Sequence, residues 1–161
     1  MNTERLTTKS RDALTAAVRQ ALTKGNPNTE PEHLLHGLLL TPDNTVGALL
    51  TKVGADPAVV DNAAVLAIDK LPSTSGSSVS QPAISGSLAR VLAQAETLAD
   101  ELGDSFVATE HLLIALAQVQ SEAEKILAKN GVDPEQLKEA FEASRGGKRV
   151  TSAESEGGES V

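Results

Sequence analysis

Cysteine is absent from the 161 residues, as are tryptophan and tyrosine, and Phe106 and Phe141 are the whole aromatic complement. Without cysteine the chain has no disulfide, no thiolate nucleophile and no zinc–thiolate site, a composition compatible with a reducing compartment. With so little aromatic bulk, Leu, Val, Ile and Ala have to fill the interior, and segments rich in Ala and Leu favour closely packed helices. Positive charge is also scarce: 14 Lys and Arg stand against 22 Asp and Glu, a net charge of −8. That balance repels phosphate backbones and anionic lipid surfaces, so neither nucleic acid nor membrane is an expected partner. Lys148-Arg149 is a short basic run in a polar tail and reads as solvated linker. No segment approaches the length of a membrane span, and Met-Asn-Thr-Glu-Arg at the start has no apolar stretch. The expectation is a soluble, cytoplasmic protein. Walker-type Gly-x-x-x-x-Gly-Lys-Ser/Thr, the nucleophile elbow and Gly-x-Gly-x-x-Gly are all missing, so the segment is read as a non-enzymatic binding module without a cofactor of its own.

What the chain does have is a duplication. Glu-His-Leu-Leu occurs at Glu32 to Leu35 and again at Glu110 to Leu113, an offset of 78 (110 − 32). Unrelated positions obey the same offset: Leu14 and Leu92, Ala17 and Ala95, Ala21 and Ala99, Gly25 and Gly103. Downstream the offset slips to 77, as a one-residue loop change causes, and Leu50, Lys52, Gly54, Asp56 and Pro57 find Leu127, Lys129, Gly131, Asp133 and Pro134. Each copy is about half of a small domain, and an apolar content of 40% suffices for one modest core.

Helix punctuation recurs in both copies. Thr7 or Thr8 caps a helix with Leu14, Val18, Ala21 and Leu22 at helical spacing, ended by Lys24-Gly25-Asn26-Pro27. Thr29-Glu30-Pro31-Glu32 reads as a capping box opening a helix over Leu34 to Leu39, which Thr41-Pro42-Asp43-Asn44 closes. A third helix covers Thr45 to Val53 and a fourth runs from Asp56-Pro57 to Lys70. After the run Ser73-Thr74-Ser75-Gly76-Ser77-Ser78 the pattern returns. Ser85 caps a helix from about Leu88 to Leu102, Thr109 opens the second Glu-His-Leu-Leu helix, Ser121 leads the next, and Asp133-Pro134 opens the last. The predicted fold is all-α: two four-helix repeats, about eight helices, related by a pseudo-twofold axis. The predicted limits are 1–145 for the double repeat, with copies at about 6–70 and 85–143 around a connection at 71–84, and 146–161 for a polar tail.

Chemistry-bearing residues are few. His33 and His36 lie three apart beside Glu32, but neither copy offers a third ligand, so no metal site is assigned and these histidines, with His111, are read as helix-surface or packing residues. Glu32 and Glu110 are kept by the duplication, as is a hydroxyl at Thr7 and Ser85, offset 78 (85 − 7). Capping of helix starts accounts for all four, and so does a binding role. Asp104 follows Gly103 in a turn and has a turn carboxylate's position.

Several stretches carry a resemblance: Arg-Leu-Thr-Thr-Lys from Arg5, Asp-Lys-Leu-Pro from Asp69, Leu-Gly-Asp-Ser-Phe-Val-Ala-Thr-Glu-His-Leu-Leu from Leu102, and Arg-Gly-Gly-Lys-Arg-Val-Thr-Ser from Arg145. From Leu6 to Ser152 the chain resembles the N-terminal domain of Clp-family AAA+ ATPases, with the ClpB disaggregase branch nearest. The resemblance implies an all-helical double repeat on a mobile linker above a hexameric ring, capturing unfolded or aggregated polypeptide. It also implies ATP and magnesium only in ATPase modules outside this chain, a homohexameric parent and a DnaK-type collaborating system. Thr7, Asp104 and Glu110 match positions implicated in substrate engagement. A groove between repeats would take apolar client segments, with Leu6, Leu88 and Leu112 as candidate lining. In the ClpC branch a hydroxyl and a Glu in each repeat bind phosphoarginine, and Thr7 with Glu32 and Ser85 with Glu110 sit at those positions. The chain has Glu-Pro-Glu-His and Ala-Thr-Glu-His where that branch has Gly-Thr-Glu-His twice. A stand-alone helical adaptor is the third reading.

Overall fold

The computed structural model describes residues 3–40, 45–74 and 81–154. A 3-10 turn, Thr3–Arg5, leads into α1 (Thr8–Thr23), α2 (Pro31–Leu40), α3 (Thr45–Lys52) and α4 (Pro57–Asp69); the second copy supplies α5 (Gly86–Glu101), α6 (Thr109–Gln118), α7 (Glu122–Lys129) and α8 (Pro134–Arg145). Thr7 and Ser85 cap α1 and α5, each hydroxyl accepting the N–H three residues on, at 3.1 and 3.0 Å. Asp56 caps α4 through Ala58 N–H. The breaks expected at Thr41 to Asn44 and at Ser75 to Ser78 lie outside the described residues.

The first helix of each copy ends on a left-handed glycine, Gly25 at φ 71° and Gly103 at φ 79°. The next residue turns its N–H back to the helix, Asn26 to Ala21 O and Asp104 to Ala99 O, both at 2.8 Å. This closure aims the side chains of Asn26 and Asp104 at the helix that follows.

Two short parallel pairings lock the copies together. In one, β1 (Asn28–Thr29) pairs with β2 (Ala83–Ile84); the other is a bridge between Leu6 and Val107. Thr29 and Val107 are offset by 78, as are Leu6 and Ile84, so each copy lends the segment before its first helix to the segment before the other's second helix. Thr7 N–H donates to Val107 O and Ser85 N–H to Thr29 O, both at 3.1 Å. That exchange is the pseudo-twofold relation expected from the repeat.

The core is aliphatic, with Phe141 its buried aromatic side chain. On α1 the inward face is Ser10, Ala13, Ala17 and Ala21; Leu14 and Val18 are half-buried and Leu22 is exposed. The helical spacing of Leu14, Val18 and Leu22 thus marks the edge and outside of the helix, while small residues face in. They permit a close approach: a Cβ on Gly37 of α2 would lie 2.5 Å from Ala13 O.

Three expectations change. Leu6, Leu88 and Leu112 are 0% exposed and belong to the core, so they line no groove. At α2 the box is formed by Glu30 and His33, whose Nδ1 accepts Glu30 N–H at 2.9 Å, and the Thr29 hydroxyl is buried without a hydrogen-bond partner. The tail expected after Arg145 turns back onto the domain: Val150 is buried, its carbonyl accepts Ser105 N–H, and Ala153 O accepts Thr8 N–H at 2.7 Å.

Gly37→Ala is expected to lower stability by about 1–3 kcal/mol through this overlap with the α1 backbone; urea denaturation measures it, and a neutral result would contradict the close helix contact.

Candidate functional site

The histidine of each Glu-His-Leu-Leu occupies the third position of its helix, where an acceptor can reach back to the capping residue. His33 Nδ1 takes Glu30 N–H and His111 Nδ1 takes Ala108 N–H at 2.8 Å. With Nδ1 accepting, Nε2 carries the proton and donates, His33 to Asn26 Oδ1 at 2.9 Å and His111 to Asp104 Oδ2 at 2.8 Å. Both rings are fully buried. Burial, with the neighbouring His36, pushes His33 down to about 4, so it is neutral at pH 7. His36 bonds Asp61 of α4 at 2.6 Å. Among the described residues no three His, Asp or Glu side chains converge on a point that would hold a metal.

Asp104 is the charged member of this pair of networks. Its carboxylate is closed off from solvent and accepts from Arg145 Nη1 on both oxygens at 2.8 and 2.9 Å, from His111 and from Val150 N–H at 2.8 Å. Burial alone pushes the carboxyl up, but the bonds from His111, Val150 and Arg145 outweigh it and leave the group below the ordinary carboxylate range. Arg145 lies 4.3 Å over the Phe141 ring, which also receives the His111 edge at 5.4 Å between centroids, and its Nε donates to Glu142. The equivalents in the first copy are Asn26 and Ile68, an uncharged pair, and Asn26 Nδ2 donates to Pro72 O at 3.0 Å. Arg145 is the residue that sequence reasoning missed; its signal was that the duplication replaces Asn26 by Asp104 and Ile68 by Arg145 together.

Thr7 is also fully buried. Its hydroxyl caps α1 and donates to Ser10 Oγ at 3.0 Å, which donates on to Val107 O. Ser85, its counterpart, is half-exposed. The ladder sets the Thr7 backbone beside Val107, three residues before Glu110, and the Ser85 backbone beside Thr29, three residues before Glu32.

Glu32 and Glu110 each sit at the second position of their helix, nearly buried, on two related grooves along the seam. One, of about 480 Å3, sets Glu32 against Ala67 of α4, Lys70 just past its end, and Ile126 and Lys129 of α7. The other, of about 250 Å3, sets Glu110 against Ser144 of α8 and Leu49 and Lys52 of α3. Burial, with Glu30 and Glu122, pushes the Glu32 carboxyl up against the pull of its own N–H.

A third groove, of about 340 Å3, lies outside the seam along α1. Leu14, Thr15, Val18, Arg19 and Leu22 form its floor and Gln81 its edge. Here the copies diverge. At the offset of 78, Val18 and Leu22 become Glu96 and Asp100, and Ala83 takes the place of Arg5. Arg5 lies across the α5 face, 2.9 Å from Asp100 and 3.7 Å from Glu96, with further bonds to Asp104 O and Ser105 O. The α5 face is occupied by an internal ion pair, and the α1 face is apolar and open.

The sequence profile of the Clp repeat (R) N-terminal domain matches residues 5–130. The chaperone protein ClpB of Propionibacterium freudenreichii subsp. shermanii is 69% identical over 161 residues, the whole of this chain and 19% of that protein. ClpB of Mycobacterium tuberculosis is 43% identical over 150 residues, 93% of this chain and 18% of that one. The chain spans about a fifth of the length of these curated relatives. Among solved structures, the Hsp104 N-terminal domain from Candida albicans superposes with a TM-score of 0.79 at 22% identity, covering 93% of this chain and 97% of that one. The N-terminal domain of ClpD from Arabidopsis thaliana gives 0.64 at 23%, covering 87% and 94%. The solved structures bear on the fold, which is the all-α double repeat.

Asp104→Ala strands a buried guanidinium and is expected to cost about 3–5 kcal/mol, whereas Asp104→Asn with Arg145→Ile, the first copy's uncharged pair, recovers most of it in urea denaturation. His33 binds its proton more weakly folded, at about 4, than unfolded, at 6.5. Its contribution is therefore complete above pH 6.5 and is lost as pH falls toward 4; Glu32, pushed up, acts in the opposite sense. His33→Gln is expected to lose less stability than the parent between pH 7 and pH 4.5. Equal losses would refute the neutral, buried assignment.

Proposed function

Because the chain belongs to the Clp repeat N-terminal domain family, we propose that it is the client-capturing domain of a ClpB-type protein disaggregase, binding exposed apolar segments of unfolded or aggregated polypeptides and passing them to an AAA+ ring. The observation that carries this reading is the open α1 groove, with Leu22 at 42% exposure and Leu14 and Val18 beside it, against an α5 face taken by Arg5, Glu96 and Asp100. Exposed aliphatic residues gathered in a concavity mark a binding surface, whereas the same residues scattered singly do not.

A groove this shallow holds a few side chains weakly and accepts many sequences, which suits capture followed by release. Several copies on one ring offset the weakness by avidity. The ring belongs to the part of the protein beyond this chain: ATPase modules using ATP and magnesium, assembled as a homohexamer in the cytoplasm and working with a DnaK-type system. This domain hydrolyses nothing. Among the described residues no helix is long and apolar enough to cross a membrane, and the net charge of −8 disfavours nucleic acid.

Of the three residues matched to substrate engagement, Glu110 lies on a seam groove and is assigned direct contact with client. Thr7 and Asp104, with their polar atoms engaged inside the domain, are assigned positioning of the α1 start and of the residues that follow α8. The phosphoarginine reading finds no support at the α1 start, where Ala153 O already takes the Thr8 N–H.

Transferring the second copy's residues onto the first, Val18→Glu with Leu22→Asp, is expected to weaken binding of an unstructured apolar polypeptide by roughly tenfold or more while the melting temperature holds. Fluorescence anisotropy measures it, and undiminished binding by the folded variant would move the client site away from α1.

A further inference from the structure

The α1 groove differs from its counterpart on α5 in charge as well as in polarity. Arg19 is part of its floor. Arg11 stands one helical turn before Thr15 on the same side of the helix, at the groove's N-terminal end. Both arginines are exposed, and among the described residues neither guanidinium makes a hydrogen bond or an ion pair. At the offset of 78 their equivalents on α5 are Ala89 and Thr97, so the second copy carries no such charges. The nearby Lys24 is held by Asp69 at 2.7 Å, and among the described residues no carboxylate lines the groove. On a chain of net charge −8, this is a local cationic rim around an apolar floor, with both guanidinium groups available to a partner.

We infer that the α1 groove selects apolar client segments flanked by carboxylates: aliphatic side chains seated on Leu14, Val18 and Leu22, with Asp or Glu on either side meeting Arg11 and Arg19. This rests on the reading of α1 as the client site and names the class of segment it takes. Arginine suits the role because its planar fork pairs with a carboxylate through two bonds and is weakly hydrated, so it can lie along an apolar surface while engaging charge. The net charge of −8 sharpens the choice, because it disfavours an acidic segment over the domain as a whole while the two arginines attract one locally. Segments with basic flanks meet repulsion at the groove and attraction elsewhere on the domain, so they are not concentrated there.

The test uses three labelled peptides with one Leu/Val core, flanked by Asp pairs, Ser pairs or Lys pairs, titrated by fluorescence anisotropy against the 161-residue chain. The acidic peptide is expected to bind about threefold to tenfold more tightly than the neutral one, with the advantage shrinking as salt is raised from low to physiological and above. Arg11→Gln with Arg19→Gln should bring the ratio of acidic to neutral affinity to about one, a ratio that does not depend on any common change in apolar binding. Equal binding of the three peptides by the parent, or an acidic preference that survives in the double variant, overturns the charge selection and leaves α1 as an apolar client site. Failure of all three to bind overturns both this inference and the reading beneath it.

Discussion

One buried carboxylate organises the second half of the molecule. Asp104 sits where water is excluded, and a charge there persists only if every lone pair finds a donor. Arg145, His111 and the Val150 N–H supply those donors, and each comes from a different piece of chain: the end of α8, the start of α6 and the segment that follows α8. A single side chain thereby fixes three elements at once. The first copy solves the same packing problem without charge. Asn26 offers one acceptor to His33 and one donor to Pro72 O, and Ile68 fills the place of the guanidinium. The polarity of the returning strand follows from that choice. An amide can give a hydrogen bond to a carbonyl, whereas a carboxylate must take one from an N–H.

Apart from exchanges such as Asn26 for Asp104 and Ile68 for Arg145, the two copies keep several inward positions and vary on their outward faces. Ala17 and Ala95, Ala21 and Ala99, the turn glycines and both histidines occupy equivalent buried or strained positions, where close packing and backbone geometry leave little choice. Val18 against Glu96 and Leu22 against Asp100 lie on exposed faces, where an ion pair and an apolar groove are equally compatible with the fold. A duplication therefore acts as an internal control. Positions that stay the same report packing, and solvent-facing positions where polar residues on one copy stand against apolar ones on the other report the work of one copy alone. By that measure the open apolar face belongs to the first repeat, and the second is the half tied to the segment that follows α8.

The fold could be read from the sequence because its signals are local. Caps, glycine stops and Asp-Pro starts are written within a few residues of where they act, and the offset carried each reading from one copy to the other. The site was harder to read for a physical reason. Leu14, Val18 and Leu22 have a helical period, which usually marks a core face, but on α1 the small residues Ser10, Ala13, Ala17 and Ala21 take that face so that Gly37 can approach. Leu6, Leu88 and Leu112 have nothing in sequence to separate them from groove residues; only the packing of both copies around them does. The docking of Val150 was hidden in the same way, since one valine among glycines, charges and hydroxyls has no period to betray it.

The returning segment also ties the start of α1 to the second copy. Val150 hangs on Asp104, and Ala153 and Glu154 reach the start of α1 through Thr8, so the helix that carries the apolar groove and the segment that follows α8 are joined there. On the proposed function, a residue such as Asp104 would act on client binding through that junction and not by contact. Its loss removes the acceptor of the Val150 N–H and so one of the bonds that hold the returning segment. The same logic separates Thr7 from Glu110. Thr7 holds the α1 start against Val107 from inside, and Glu110 faces a groove, so equal losses of function on substituting the two residues would have different physical origins. A stability measurement beside the binding measurement distinguishes them, because only the positioning residues carry the fold with them.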